Sequence, residues 1–273
     1  MSSYAVWIVD AFAERAFTEN PAGVVIDHDL SDAQMQSVAA ELNLSETAFL
    51  RPRDDCWDLR WFTPAMEVEL CGHATIASAH VLWSEGHAPA DLPLVFATAS
   101  GPIGARRDAE LIEIDLPAAT LRAIAPSAEV LAALGGLRPE AMAVTEHAIA
   151  GERNLLAVLP DADAVRDLRI DAGALARAPE GGLIVTARAD AGDSVDAVHR
   201  YFAPAVGIDE DPVTGSAACA LAPYWAPLIG RDTLRMRQLS ARGGELRVRP
   251  AGDRVLVAGP AVTVVRGALV AWG

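Results

Sequence analysis

Two stretches of this chain carry the same landmarks in the same order. "WFTPAMEVELCGHATIASAHVLW" begins at Trp61 and "YFAPAVGIDEDPVTGSAACALAPYW" begins at Tyr201. Each opens with an aromatic pair, continues through Pro-Ala and an acidic stretch to a glycine, then runs through small residues to a closing Trp. Matching Gly72 to Gly215 needs an insertion of about three residues in the second copy. The match continues downstream, where "FATASGPIGARR" (96–107) follows the first unit and "QLSARGGELRVR" (238–249) the second. Self-similarity of this kind implies two related structural units. The expected halves are 1–117 and 118–273, with a crossover of the C-terminal strand left open.

Composition narrows what such a pair of units can do. A chain of 273 residues, 52% hydrophobic and 22% charged, can bury two sizeable cores and is not disordered. Its formal charge of −15 argues against nucleic acid and anionic membrane as partners, because both require a basic footprint. A local run (Arg231, Arg235, Arg237, Arg242, Arg247, Arg249 and Arg254) alternates with apolar residues and reads as solvated strand faces. All 22 basic residues are arginine. Without lysine there is no internal Schiff base to pyridoxal phosphate and no P-loop lysine. "MSSYAVWIVDAF" lacks the charged and apolar regions of a signal peptide, and no apolar run reaches membrane-spanning length. Three cysteines without framework spacing suit reduced thiols in a cytoplasm. Neither CxxC nor HExxH occurs, so no metal site is expected.

Each half alternates apolar strands with one main helix. "YAVWIVDAF" and "PAGVVI" are strands, and "SDAQMQSVAAELN" is an amphipathic helix capped by Ser31 or Asp32. "ETAFLRP" and "CWDLRWFTP" form a hairpin around Arg53-Asp54-Asp55, and "GHATIASAHVLWSEG" is a helix ending near Gly86. In the second half "NLLAVLP", "GLIVTAR", "AVHRYFAP", "ELRVRP", "RVLVAG" and "VTVVRGALV" are strands around a helix in "GSAACALAPYWAPLIG". The fold class is α+β: two pseudo-symmetric halves, each a strand-rich layer around an alanine-rich helix, with the active cleft expected between them.

Both landmark glycines open a run of small residues, "GHATIASA" and "GSAACALA". The first N–H groups of a helix have no internal partners and carry partial positive charge. Small side chains let a carboxylate approach that backbone, so Gly72 and Gly215 could hold a small anion. The plainer alternative is that Gly and Ala merely permit close helix–sheet packing. Acid–base candidates lie nearby. "VTGS" supplies Thr214 and Ser216, and "DEDP" supplies Asp209, Glu210 and Asp211. Glu46 heads an otherwise apolar strand, whereas the matching "GGLIVTAR" has no acid. A carboxylate buried in an apolar cleft is tuned toward proton transfer near neutral pH, although a lone Glu at a strand start is ordinarily just exposed. Cys71 stands directly before Gly72, where a thiol would have a lowered pKa. Its counterpart is Thr214, and Cys219 reads as packing, so the thiol pair of a two-base racemase is incomplete.

Together "IVDAFAERAFTENPAGVV", "LNLSETAFL", "FTPAMEVELCGHATIASAHVL", "FATASGPI" and "YFAPAVGIDEDPVTGSAACALAPYW" resemble the phenazine-biosynthesis isomerase (PhzF-like) family. That family shares the duplicated fold of diaminopimelate epimerase and proline racemase. The resemblance implies two halves, each a β-barrel-like sheet around a central helix, usually in a homodimer. It implies cofactor-independent isomerisation, best known on trans-2,3-dihydro-3-hydroxyanthranilate, with a glutamate moving a proton between ring carbons. That glutamate maps onto Glu46. His73, Asp211 and Ser216 map onto polar substrate-site residues, and Gly72, Gly215 and Thr214 onto helix-start backbone. One departure stands out: the first motif commonly reads Phe-x-Gly-Asn-Pro, whereas here Glu19 precedes Asn20-Pro21.

The expected function is thus an isomerase acting on a small anionic carboxylate, without cofactor or metal, in a cytoplasmic homodimer. The alternatives are an epimerase, racemase or dehydratase using Cys71, and a non-catalytic small-molecule binder.

Overall fold

The computed structural model describes residues 3–148 and 153–270. The chain divides into two units. One holds the residues up to Asp115 together with those from Ala258 on, and the other holds Leu116–Val257. The second unit therefore closes at Val257, and the chain's last strand belongs to the first unit.

In the first unit the apolar segments become β1 (Tyr4–Ala11), β2 (Asn20–Ile26), β3 (Glu46–Arg53), β4 (Cys56–Phe62), the short β5 (Glu67–Val68), β6 (Leu94–Thr98), β7 (Gly101–Asp108) and β8 (Leu111–Pro117), whose last two residues fall in the second unit. Two helices interrupt them, α1 (Asp32–Leu42) and α2 (Gly72–Ser84). Helix α1 starts on a capping box. Ser31 N–H donates to Gln34 Oε1 at 2.9 Å, and Gln34 N–H returns to Ser31 Oγ at 3.4 Å. Its apolar face, Met35, Val38 and Ala39, packs with Val25, Phe49 and Phe62. Helix α2 is buried on nearly every side, as a helix apolar all round must be. Its few polar groups satisfy themselves locally: Thr75 donates to Cys71 O at 2.5 Å and Ser78 to Ala74 O at 2.7 Å.

The second unit holds β9 (Leu121–Ala123), α3 (Ala128–Ala133), β10 (Ala141–Thr145), β11 (Asn154–Val158), α4 (Ala162–Asp167), α5 (Ala172–Leu175) and β12 (Gly182–Arg188). It continues through β13 (Ala197–Phe202), α6 (Ala218–Ile229), β14 (Leu234–Gln238), β15 (Gly244–Ala251) and β16 (Arg254–Gly259), whose last two residues belong to the first unit. The chain's last strand is β17 (Ala261–Leu269). Helices α3, α4 and α5 pack with β10–β13 in one apolar cluster. Helix α6 leans on β15 and anchors to β12 through Trp225 Nε1, which donates to Thr186 Oγ1 at 3.0 Å.

Strand pairing reproduces the sequence duplication. In the first unit β1–β2 is antiparallel, β2–β3 parallel, β3–β4 antiparallel, β4–β6 parallel and β6–β7 antiparallel. In the second, β10–β11, β11–β12, β12–β13, β13–β14 and β14–β15 repeat that series in the same order. The outer neighbour of β10 is β9, its predecessor in sequence, whereas the same place beside β1 is taken by β17, the last strand of the chain. Smaller details repeat too. Arg60 grips Glu67 with Nε and Nη2, each at 2.7 Å, and lies 5.2 Å from the Phe62 ring centre. Arg200 grips Glu210 at 2.7 and 2.9 Å and lies 4.9 Å from Phe202.

One expectation needs correction. Gly72 is the first residue of α2, but Gly215 does not begin α6, whose α-helical residues start at Ala218. Residues 215–217 instead form a tighter turn, with Ala218 N–H on Gly215 O at 3.2 Å and Cys219 N–H on Ser216 O at 3.1 Å. The arginine run divides between strands and ion pairs, among them Arg235 and Arg237 on Glu245 and Arg231 on Asp196.

Candidate active site

Glu46 opens β3 and is buried despite its charge, 8% exposed. The register explains its place. Parallel pairing sets it opposite Ala22 on β2, and antiparallel pairing sets the next residue, Thr47, opposite Phe62 on β4. His73, the second residue of α2, points back toward it, with Nε2 3.3 Å from Glu46 Oε2. That approach is close but off the hydrogen-bonding line, so Nε2 has no hydrogen-bond partner among the described residues. Burial drives the imidazole pKa down to about 3, so the ring is neutral at physiological pH. Its other nitrogen, Nδ1, lies 3.2 Å from Asn20 Nδ2 and 3.4 Å from Cys71 Sγ. Cys71 is the extended residue before α2 and is itself buried.

Glu46, Cys71 and His73 offer ligand atoms within 4.8 Å of one another, the one such group among the described residues. The imidazole, however, turns Nδ1 to the thiol and Nε2 to the carboxylate. A single ion can take only one of those nitrogens. The arrangement suits a line of proton-handling groups better than a three-ligand chelate.

The loop leading into this cluster is held under strain. Between β1 and β2, Phe12, Phe17 and Glu19 all adopt positive φ, at 62°, 68° and 55°. Asp10 Oδ2 accepts the Phe17 N–H at 2.6 Å, and Phe12 lies over Gly259 so closely that no side chain would fit there. Glu19, standing where the motif has glycine, keeps the left-handed backbone that glycine would take without cost.

The remaining sequence candidates lie in the second unit. Asp211 and Thr214 are buried, and Thr214 Oγ1 donates to Asp211 Oδ2 at 2.5 Å. Gln238, at the end of β14, ties this loop down. It accepts Thr214 N–H at 2.8 Å and donates to Asp211 O at 2.6 Å. Ser216 and Gly215 follow in the tight turn, Ser216 half-buried. His199 sits close by on β13 and is held neutral by burial, its pKa lowered to about 4. Gln238 tends to raise it, but the Gln238 amide is committed to Thr214 and Asp211, and the His199 nitrogens have no hydrogen-bond partner among the described residues.

Sequence reading missed Asn20, Gln238 and His199. Asn20 had a signal, its place in the Asn-Pro motif, whereas Gln238 lay unmarked in a strand end. A cavity of about 350 Å3 in the first unit, over Met35, Phe49 and Leu59 with Arg51 and Arg60 on its rim, contains none of the expected site residues.

The sequence profile of the PhzC-PhzF family, described as phenazine biosynthesis-like protein, matches residues 9–267. An uncharacterized isomerase of Pseudomonas aeruginosa is 46% identical over 260 residues, which cover 95% of each chain. A phenazine biosynthesis protein of the PhzF family from Enterococcus faecalis superposes with a TM-score of 0.89 at 39% identity, covering 99% of this chain and 100% of that one. A probable proline racemase from Agrobacterium radiobacter shares the fold, with a TM-score of 0.65 at 14% identity over 99% of this chain and 93% of its own. The fold is thus α+β, of the kind found in PhzF-family proteins and proline racemases. Among the described residues no helix is long and apolar enough to cross a membrane.

Proposed function

The chain belongs to the phenazine biosynthesis-like (PhzC-PhzF) family, and we propose that it is a cofactor-independent isomerase in which Glu46 moves a carbon-bound proton on a small carboxylated substrate. The observation that carries this reading is a buried carboxylate 3.3 Å from a neutral histidine that turns an uncommitted nitrogen toward it. The Glu46 carboxylate takes a proton from carbon, and the C–H electron pair moves into the substrate's adjacent unsaturated system. The protonated carboxyl then returns the proton to a different carbon, so the step is redox-neutral and needs no co-reactant. Burial keeps water from competing for that proton between the two transfers. We assign a polar contact with the substrate to His73 and an anion contact to the backbone at Gly72.

A compound of the trans-2,3-dihydro-3-hydroxyanthranilate type is the substrate to try first. Incubated with the protein in D2O and followed by NMR, it should isomerise and acquire deuterium on carbon. Glu46→Gln should slow both by about 100-fold or more, the usual worth of a general acid–base group. Unchanged exchange in that variant would remove Glu46 from the mechanism.

A second reading has one observation behind it, the Cys71 thiol 3.4 Å from His73 Nδ1. In that reading the thiol is the base of an epimerase, racemase or dehydratase. Iodoacetamide would then inactivate the protein, and Cys71→Ser would be both inactive and resistant. Full activity of Cys71→Ser would dispose of it.

A further inference from the structure

The His73 ring is fully enclosed, and its two nitrogens meet different company. Nδ1 faces the Asn20 side-chain nitrogen at 3.2 Å, a contact between residues 53 apart in sequence. Nε2 faces Glu46. An amide NH2 can only donate a hydrogen bond, so the nitrogen it meets must present a lone pair. Because burial keeps the ring neutral, it carries one proton, and that proton is left to Nε2.

We propose that Asn20 is a positioning residue that locks His73 as the Nε2–H tautomer, so that the ring presents a hydrogen-bond donor, not a lone pair, on the side of Glu46. This rests on the reading of Glu46 as the proton carrier. The opposite tautomer would set an Nε2 lone pair against a carboxylate, which is repulsive, and would leave the Asn20 N–H groups facing an N–H. The Nε2–H side of the ring then faces the carboxylate that must accept a proton, with no lone pair set against it.

Asn20 is well placed to impose this. It is fully buried as the first residue of β2, and its backbone is registered against Ala11 on β1. The strained Phe12–Glu19 segment delivers it there. The Cys71 thiol is a second claimant on Nδ1, at the longer distance of 3.4 Å and as a weaker donor. One in-plane lone pair accepts one strong bond, and Asn20 has the better claim.

The test is 15N NMR of histidine-labelled protein, which reports the protonation of each ring nitrogen of His73 directly and needs no substrate. Wild-type protein should show Nε2–H and bare Nδ1 from pH 5 to 8. Asn20→Asp replaces the donor with an acceptor and should transfer the proton to Nδ1. Asn20→Ala should leave both tautomers populated, and Cys71→Ala should leave the wild-type pattern unchanged. An Nδ1–H signal in wild-type protein would overturn the proposal. So would a pattern indifferent to Asn20 substitution, or one that Cys71→Ala reverses. Where Asn20→Asp fails to fold, the wild-type and Cys71→Ala spectra still decide. The D2O exchange assay stands apart: full exchange in Glu46→Gln beside an Asn20-dependent tautomer would reject the catalytic reading and keep this one.

Discussion

Glu46 has a counterpart that shows why only one unit carries the acid. Thr47 lies opposite Phe62 and Leu183 opposite Phe202, so strand register equates Glu46 with Gly182. A side chain at Gly182 would collide with Asn154 Oδ1 and the Tyr201 hydroxyl, which bond to each other at 3.0 Å. That buried pair fills the space the glutamate occupies in the other copy. Gly182→Ala should therefore cost about 1–3 kcal/mol, read as a lower urea midpoint at unchanged slope. The sequence revealed that "GGLIVTAR" lacks an acid, but only three-dimensional register shows what replaces it. Glu46 itself was legible through the family resemblance, since a lone Glu at a strand start is ordinarily just exposed and its burial shows only in the fold. Asn20 carried a motif but no sign of its role, because its partner lies 53 residues away.

At the scale of elements, the duplicated Arg–Glu grips should differ in worth although their geometry is alike. Arg200 and Glu210 have side chains only 8% and 26% exposed, and Arg200 Nη1 also serves Leu168 O at 2.8 Å. Arg60 and Glu67 are 37% and 39% exposed. Breaking the buried grip leaves a carboxylate poorly hydrated and several carbonyls unserved, so Arg200→Gln should destabilise by about 3–5 kcal/mol. Arg60→Gln should cost about 1 kcal/mol or less. Chemical denaturation of the two variants in parallel checks the contrast, and equal losses would refute it. The strands and helix α1 were readable from periodicity and capping, but the start of α6 was not. "GHAT" and "GSAA" look alike in sequence, yet the second follows a longer loop whose Thr214 and Asp211 are clamped by Gln238. The chain there winds through i→i+3 bonds before the α-helix takes over. No local pattern announces a glutamine near the end of a later strand as the cause.

For the molecule as a whole, buried neutral histidines set its response to acid. His73 and His199 titrate at about 3 and about 4 when folded, against an ordinary 6.5. Between those values the unfolded chain takes up protons that the folded chain refuses. The stability gained by keeping the rings neutral is complete above pH ~6.5 and is lost as pH falls toward their folded values. Near pH 5 each ring should steepen the loss by about 1.4 kcal/mol per pH unit, and His199→Gln should make the profile shallower by that amount. Urea midpoints at several pH values measure both. The placement of β17 bears on something else, the order in which a ribosome could finish this protein. The segment Leu116–Val257 is continuous and carries β9 to β15 whole. The unit that emerges first must wait for residues 261–269 before β1 gains its second neighbour. Synthesis at roughly 5–20 residues per second makes that wait seconds long, with an unpaired β1 edge exposed throughout. Arrested nascent chains should therefore show protease protection of the second unit before the first, so that the half begun earlier is the half completed last.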